Sequence, residues 1–105
     1  MKTVMIVDDE NEILERVKSS LENDDIQVET ATDSRQAIEK MSGEAENNYG
    51  LILIDTQLPG TQRSALFSMK PKSKINTDIS NTDDFLKKPF TEEQLINFVK
   101  SKLQQ

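Results

Sequence analysis

Residues 51–72 have the sequence LILIDTQLPGTQRSALFSMKPK, in which two apolar runs lie close together. It opens with four apolar residues, 51–54, which predict a strand buried on both faces of a sheet. Asp55 follows directly, and a Leu-Pro-Gly turn comes next at 58–60. A second apolar run begins at Ala65, so the connection between the two predicted strands is unusually short.

Strand and helix patterns alternate along the rest of the chain. The other predicted strands are 3–7, 26–31 and a short one at Phe85-Leu86. The predicted helices bury three stripes of apolar residues: Ile13, Leu14, Val17 and Leu21; Ala37, Ile38 and Met41; and Leu95, Ile96, Val99 and Leu103. This order of elements predicts an α/β fold, in which helices cover both faces of a parallel sheet.

Composition excludes several classes of protein. The 105 residues suffice for one domain, and the net charge of −6, without a basic patch, argues against nucleic-acid binding. The chain has no Cys and no His, which excludes disulfides, thiolate metal sites and imidazole bases. It has neither a signal peptide nor an apolar run of about 18 residues, so we expect a cytoplasmic protein that does not enter membranes.

Charged residues follow the predicted strands where each strand ends. Asp8 and Asp9 follow the first strand, Asp55 follows the third, and Lys87 and Lys88 follow the last. Because the carboxyl ends of parallel strands meet at one edge of a sheet, these side chains should converge there.

Crowded carboxylates repel one another by about 1 to 4 kcal/mol per pair near 4 Å, so they usually accompany a bound cation. Oxygen ligands favour Mg²⁺ over zinc. A metal and a lysine beside a further carboxylate can together transfer a phosphoryl group onto that carboxylate.

Three segments, MIVDDE (5–10), LILIDTQLPG (51–60) and DDFLKKPF (83–90), resemble the signature segments of response regulator receiver domains. The resemblance implies a three-layer, flavodoxin-like, doubly wound parallel sheet of strand order 2-1-3-4-5. It also implies that residues 1–105 form a single receiver domain without an output domain. Such a stand-alone receiver takes a phosphoryl group from a histidine kinase or phosphotransfer protein and signals by altered protein–protein interaction. It is not an enzyme, apart from catalysing its own phosphorylation and dephosphorylation.

The resemblance also assigns roles to individual residues. It makes Asp55 the phospho-acceptor and Lys88 the lysine that contacts the phosphoryl group. It implies Mg²⁺ as cofactor, held by Asp8, Asp9, Asp55 and the backbone carbonyl of Gln57. Taken singly, the acidic residues have simpler interpretations. Asp8-Asp9 could start a helix, and Asp55 could form an Asx turn.

The segment between Asp55 and Lys88 is too short for the usual family pattern, and two arrangements are possible. The favoured one makes ALFSM, 65–69, the fourth strand, with Ser68 as the hydroxyl that contacts the phosphoryl group. The third helix is then reduced to 60–64, and a loop at 70–83 replaces the fourth.

The other arrangement makes 64–70 a remnant of the third helix and 74–80 the fourth strand. Both conflict with the crossover of about a dozen residues that neighbouring parallel strands need. In either arrangement Phe85 occupies the place of the family's aromatic switch residue, although an apolar core role is the commoner one for such a residue.

Two other functions compete with phosphoryl acceptance. A pseudo-receiver would keep the fold and bind a protein partner constitutively, and the altered segment between Asp55 and Lys88 supports that alternative. A phosphatase with an Asp nucleophile generally carries an acid–base Asp two residues later. Because Gln57 stands there, we discount the phosphatase.

Overall fold

The computed structural model of the chain describes residues 3–43, 48–57, 64–69 and 85–103. These residues form five strands: β1 (Thr3–Val7), β2 (Val28–Ala31), β3 (Tyr49–Gln57), β4 (Ser64–Met69) and β5 (Phe85–Lys87). They also form three helices: α1 (Asn11–Glu22), α2 (Ser34–Lys40) and α3 (Glu92–Leu103). None of the helices in these ranges is long and apolar enough to cross a membrane.

The strands form one sheet in the predicted order, β2-β1-β3-β4-β5. β1 lies between β2 and β3 and runs parallel to both. Ile6 pairs with Thr30 of β2 on one side and with Leu53 of β3 on the other. The predicted α/β fold, with its parallel core, is therefore confirmed.

The predicted direction of β4 is wrong, although its position in the sequence is right. β4 runs antiparallel to β3, with Asp55 opposite Leu66 and Leu53 opposite Ser68. Six residues, 58–63, separate the two strands. A hairpin can be closed by so few residues, whereas a parallel crossover needs about a dozen. The predictions for the third helix at 60–64 and for the segment 70–83 lie largely outside the described residues.

β5 is antiparallel to β4, with Leu66 opposite Leu86. Two successive reversals return the chain to its original direction, so β5 runs the same way as β1 and β3. The residues that follow β5 therefore arrive at the edge of the sheet where β1 and β3 also end.

Alternation along the strands divides the core between the two faces of the sheet. One face carries Ile6, Leu53 and Leu66 and is covered by α1 and α3. The other face carries Met5 and Ile52, which pack against α2.

The predicted stripes of α1 and α3 are buried or half-buried. In α2, however, the expectation for Ile38 is wrong. Its side chain is 52% exposed, whereas Ala37 and Met41 are buried. The short α2 turns only these two residues of the predicted stripe into the core.

Side chains cap the starts of α2 and α3. The Asp33 carboxylate accepts the backbone N–H of Gln36 at 2.8 Å and so starts α2. At the start of α3, the Gln94 backbone N–H donates to the Thr91 hydroxyl, and the Thr91 N–H donates to the Gln94 side chain. This capping box fixes the chain between Pro89 and α3, directly after the lysine of the predicted site.

Candidate phosphoryl-acceptor site

Three of the predicted residues meet at the carboxyl edge of the sheet. Asp8 follows β1, Asp55 lies near the end of β3, and Lys88 follows β5. The Lys88 ammonium lies 2.9 Å from Asp8 Oδ2 and 2.8 Å from Asp55 Oδ1. One cation thus joins two carboxylates that are 47 positions apart in the chain, from Asp8 to Asp55.

Asp8 is held on both of its oxygens. Its Oδ1 accepts the backbone N–H of Glu10 at 2.9 Å, and its Oδ2 accepts the Lys88 ammonium. The Asp8 side chain is 0% exposed. A buried charge of this kind is stable only when it is paired and hydrogen-bonded, so Lys88 is part of the folded structure as well as of the site.

Lys88 is positioned through its backbone as well as its side chain. Its N–H donates to the carbonyl of Ser64 at 3.1 Å, which ties it to the first residue of β4. The peptide bond between Lys88 and Pro89 is cis. These restraints direct the ammonium toward Asp8 and Asp55.

The electrostatics of the site follow from burial and from close charges. Burial raises the pKa of Asp55 above its ordinary value, and the charges of Asp8 and Asp9 add to that rise, although Lys88 opposes it. Burial alone would lower the pKa of Lys88, but its contacts with Asp55 and Asp8 outweigh burial and raise that pKa. Lys88 is therefore held as a cation, while the Asp55 carboxylate is less stable as an anion than it would be in water.

A cluster of carboxylates borders the site. Oxygens of Asp8, Asp9 and Glu10 all lie within 4.8 Å of one another. Asp9 and Glu10 are exposed, and Asp8 is buried. Hard oxygen donors of this kind fit Mg²⁺, and Glu10 is a member of the cluster that the sequence prediction omitted.

Asp55 and Gln57, the other two predicted metal ligands, are placed by β3. Asp55 faces Asp8 across the Lys88 ammonium. Gln57 ends the strand and pairs with Ser64. A backbone carbonyl at the end of β3 is thus at the same edge as Asp55, where the resemblance placed it.

Because β4 runs antiparallel to β3, the serine at the edge of the site is Ser64 and not the predicted Ser68. Ser68 pairs with Leu53, on the side of Asp55 that is farther from the edge, and it is 9% exposed. The structure therefore does not bring Ser68 to the site. The prediction that placed Ser68 there assumed that β4 runs parallel to β3. Ser64 instead lies at the edge, opposite Gln57 and beside Lys88. The connection between the two predicted strands was already short for a parallel crossover, and an antiparallel β4 would have predicted Ser64 at the edge.

Phe85 lies on β5 and is 41% exposed. Its ring centroid is 5.3 Å from that of Phe67, which is buried on β4. The pair packs on the side of the sheet away from Leu66, because Phe67 alternates with Leu66 along β4. The role of Phe85 as an aromatic switch stays a prediction.

Comparison with known proteins identifies a family to which this chain is similar. The family model for the response regulator receiver domain matches residues 4–79. The matched range contains Asp8, Asp9 and Asp55 but ends before Lys88, so the position of the lysine is supported by the ion pairs rather than by that match.

Among curated proteins, the chain is similar to the transcriptional regulatory protein SrrA of Staphylococcus aureus, in strains NCTC 8325 / PS 47 and COL. It is 28% identical to each over 116 aligned positions, which cover 95% of this chain and 47% of the relative. The chain thus spans about half the length of the curated relatives it matches. No solved structure matches it.

Proposed function

Because this chain belongs to the response regulator receiver family, we propose that it accepts a phosphoryl group on Asp55 from a histidine kinase or a histidine phosphotransfer protein. The observation that carries the proposal is the Lys88 ammonium at 2.8 Å from Asp55 and 2.9 Å from Asp8. The ion pair supports the proposal, since the carboxylate that would attack phosphorus lies next to a cation that can contact the oxygens of the incoming phosphoryl group.

Each residue of the site has a defined part in the reaction. An oxygen of Asp55 attacks phosphorus, and the bond from phosphorus to the donor nitrogen breaks. Lys88, held as a cation by the two carboxylates, neutralises charge on the transferred group. Asp8 and Asp9, with the Gln57 carbonyl and Asp55, would hold Mg²⁺, which neutralises further phosphoryl charge when it is bound.

The proposed output is a change in protein–protein interaction. Acceptance and loss of the phosphoryl group are self-catalysed, so the protein is not an enzyme that acts on other molecules. That this receiver acts without an output domain stays a prediction, and the mass of the protein isolated from its own cells would test it.

The direct test exposes the protein to Mg²⁺ with acetyl phosphate or phosphoramidate and measures its intact mass. We expect one phosphoryl adduct on the wild-type protein and none on Asp55→Asn. An absent adduct on wild type, or an equal adduct on the variant, would show that the proposal is wrong. Omitting Mg²⁺ in the presence of EDTA should greatly reduce adduct formation.

The pseudo-receiver remains the second candidate, and the reversal of β4 favours it. In this chain β4 runs antiparallel to β3, so the surface around β4 differs from that of a receiver whose strands are all parallel. A pseudo-receiver would bind its protein partner equally well before and after treatment with the phosphodonor. A partner whose affinity changes with adduct formation would exclude it.

A further inference from the structure

β2 is the edge strand of the parallel half of the sheet. Among the described residues, β1 is the only strand that pairs with it. An edge strand presents backbone N–H and C=O groups that can pair with a strand of another chain. Proteins often block such an edge with a lysine side chain, and a lysine contacts the edge of β2.

The backbone of β2 faces both β1 and the outer edge of the sheet. The Asp8 N–H donates to the Ala31 carbonyl at 3.1 Å, so Ala31 faces the β1 side. The direction of the backbone N–H and C=O groups alternates from one residue to the next along a strand. Thr30 therefore directs its N–H and C=O away from β1, and so does Val28.

Lys40 occupies the outward carbonyl of Thr30. Its ammonium donates to that carbonyl at 2.6 Å and lies 3.9 Å from a carboxylate oxygen of Glu29. Lys40 is the last residue of α2, which packs over β2 and β1. The side chain thus reaches from the helix to the edge of the sheet, where it covers the acceptor that an added strand would use.

A second copy of this chain can pair with this edge symmetrically. Two β2 strands that run antiparallel about a two-fold axis present the same residues to each other. A register that places Glu29 opposite Glu29 would oppose two like charges, which is unfavourable. With Thr30 on the axis, Glu29 instead lies opposite Ala31, and the two copies of Thr30 exchange N–H to C=O hydrogen bonds.

We infer that the outer edge of β2 is a pairing surface for a second copy of this chain and that Lys40 keeps this surface closed. The bond from Lys40 to Thr30 must break before the Thr30 carbonyl can accept a bond from another chain. Loss of the Lys40 ammonium therefore favours a dimer in which the two sheets join into one. The inference does not depend on phosphoryl transfer, because neither residue belongs to the phosphoryl site.

The test measures self-association by analytical ultracentrifugation over a range of protein concentrations. Lys40→Met keeps a side chain of similar length and removes the ammonium. It should tighten self-association about tenfold, the worth of a charge-assisted hydrogen bond. Lys40→Arg keeps a cation that can donate to the Thr30 carbonyl, so it should associate no more than the wild-type protein does.

Lys100→Met is the matched control. Lys100 also lies in the last turn of a helix, α3, and pairs with a carboxylate, that of Asp24. α3 covers the face of the sheet opposite to α2. The substitution removes the same charge but leaves the edge of β2 intact, so self-association should not change.

Amide hydrogen exchange locates the surface that associates. In concentrated Lys40→Met protein, the Thr30 amide should exchange more slowly than in dilute protein, because it donates to the second copy. The Ala31 amide faces β1 in both states, so its exchange should change little.

Equal self-association of Lys40→Met and of either the wild-type protein or Lys100→Met would overturn the inference. Association that leaves the exchange of the Thr30 amide unchanged would overturn it as well, since another surface would then be responsible. Lys40→Ala also removes the ammonium and takes the place of Lys40→Met if circular dichroism shows that Lys40→Met does not fold. The proposed function is tested separately, by the phosphoryl adduct on Asp55.

Discussion

The two halves of the sheet differ in strand direction but deliver their residues to the same edge. In the first half, β2, β1 and β3 are parallel, and their carboxyl ends define that edge. In the second half, β4 and β5 reverse in turn. A single reversal would have sent the residues after β5 to the opposite edge. Two reversals cancel, so Lys88 meets Asp8 and Asp55 at distances below 3 Å.

The direction of β5 determines where Lys88 lies, whereas the direction of β4 determines only which of its own residues lie at the edge. The position of Lys88 depends only on the final direction of β5, which the double reversal preserves. The residues at the ends of β4 depend on the direction of β4 itself, and there Ser64 and Ser68 are exchanged relative to a parallel strand. A shortened connection can therefore change the strand next to the acceptor and leave the acidic edge and its lysine in place.

Core substitutions in the two halves of the sheet should destabilise the protein equally if the halves unfold together. Ile6 on β1 and Leu66 on β4 are both fully buried in the same core cluster. Truncation of either to Ala should lower the free energy of unfolding by about 3 kcal/mol, through lost transfer energy and the cavity left behind. Urea denaturation measures both variants against the wild-type protein.

A much smaller loss for Leu66→Ala than for Ile6→Ala would show that the two halves of the sheet differ in stability. It would mean that the antiparallel half opens separately from the parallel half. Amide exchange on β4 and β1 would then show faster opening of β4. We expect the slowest amides of both strands to exchange at similar rates.

The next effect concerns the cation that joins the halves. Lys88→Ala should lower the free energy of unfolding by about 3 kcal/mol at pH 7 in EDTA, because it leaves the buried Asp8 carboxylate unpaired. Lys87→Ala is the matched control, since Lys87 is exposed on β5. If the two variants unfold at the same urea concentration, the ion pairs do not stabilise the contact between the halves.

A smaller effect, of opposite sign, is expected at Asp55. Its pKa is raised above the ordinary carboxyl value, chiefly by burial, so the folded protein binds the Asp55 proton more tightly than the unfolded chain does. Folding stability therefore falls as the pH rises from the ordinary carboxyl pKa through the raised, folded-state pKa. Asp55→Asn should raise the free energy of unfolding by about 1 kcal/mol at pH 7 in EDTA.

This gain should shrink as the pH falls and vanish below the ordinary carboxyl pKa, where the Asp55 carboxyl is protonated in both states. Asp25→Asn removes the same charge from an exposed position and serves as the control. Urea denaturation at a series of pH values gives the difference between the variants. A gain for Asp55→Asn that is equal at all pH values would show that ionisation of Asp55 is not its cause.

The first half of the fold and most of the acidic edge could be predicted from the sequence. Continuous apolar runs identified β1 and β3, and the rule that sites lie at the carboxyl ends of parallel strands then brought Asp8, Asp55 and Lys88 together. These predictions succeed because they depend on local pattern and on one general property of such sheets.

The direction of β4 could not be predicted by the same means. The apolar run at ALFSM identifies a buried strand but contains no information on its direction, since a buried strand has the same pattern either way. The resemblance supplied a parallel direction. The length of the connection opposed it, and the connection length was the better guide because chain reach is a physical limit.

The two serines of β4, Ser64 and Ser68, should differ in their effect on the phosphoryl adduct, because only Ser64 lies at the edge of the site. Ser64 lies at the edge of the site, and its backbone carbonyl accepts the Lys88 N–H. Its hydroxyl is on the same face of the sheet as Leu66, and so on the same face as Asp55, which pairs with Leu66. Ser64→Ala keeps the backbone bond and removes only the hydroxyl.

We expect Ser64→Ala to change the lifetime of the phosphoryl adduct about threefold, the worth of one ordinary hydrogen bond, and to leave the free energy of unfolding nearly unchanged. Ser68→Ala is the matched control, on the same strand and face but buried beside Leu53. It should leave the lifetime unchanged and lower the free energy of unfolding. The reverse result, with Ser68→Ala changing the lifetime, would mean that β4 runs parallel to β3 in the phosphorylated protein.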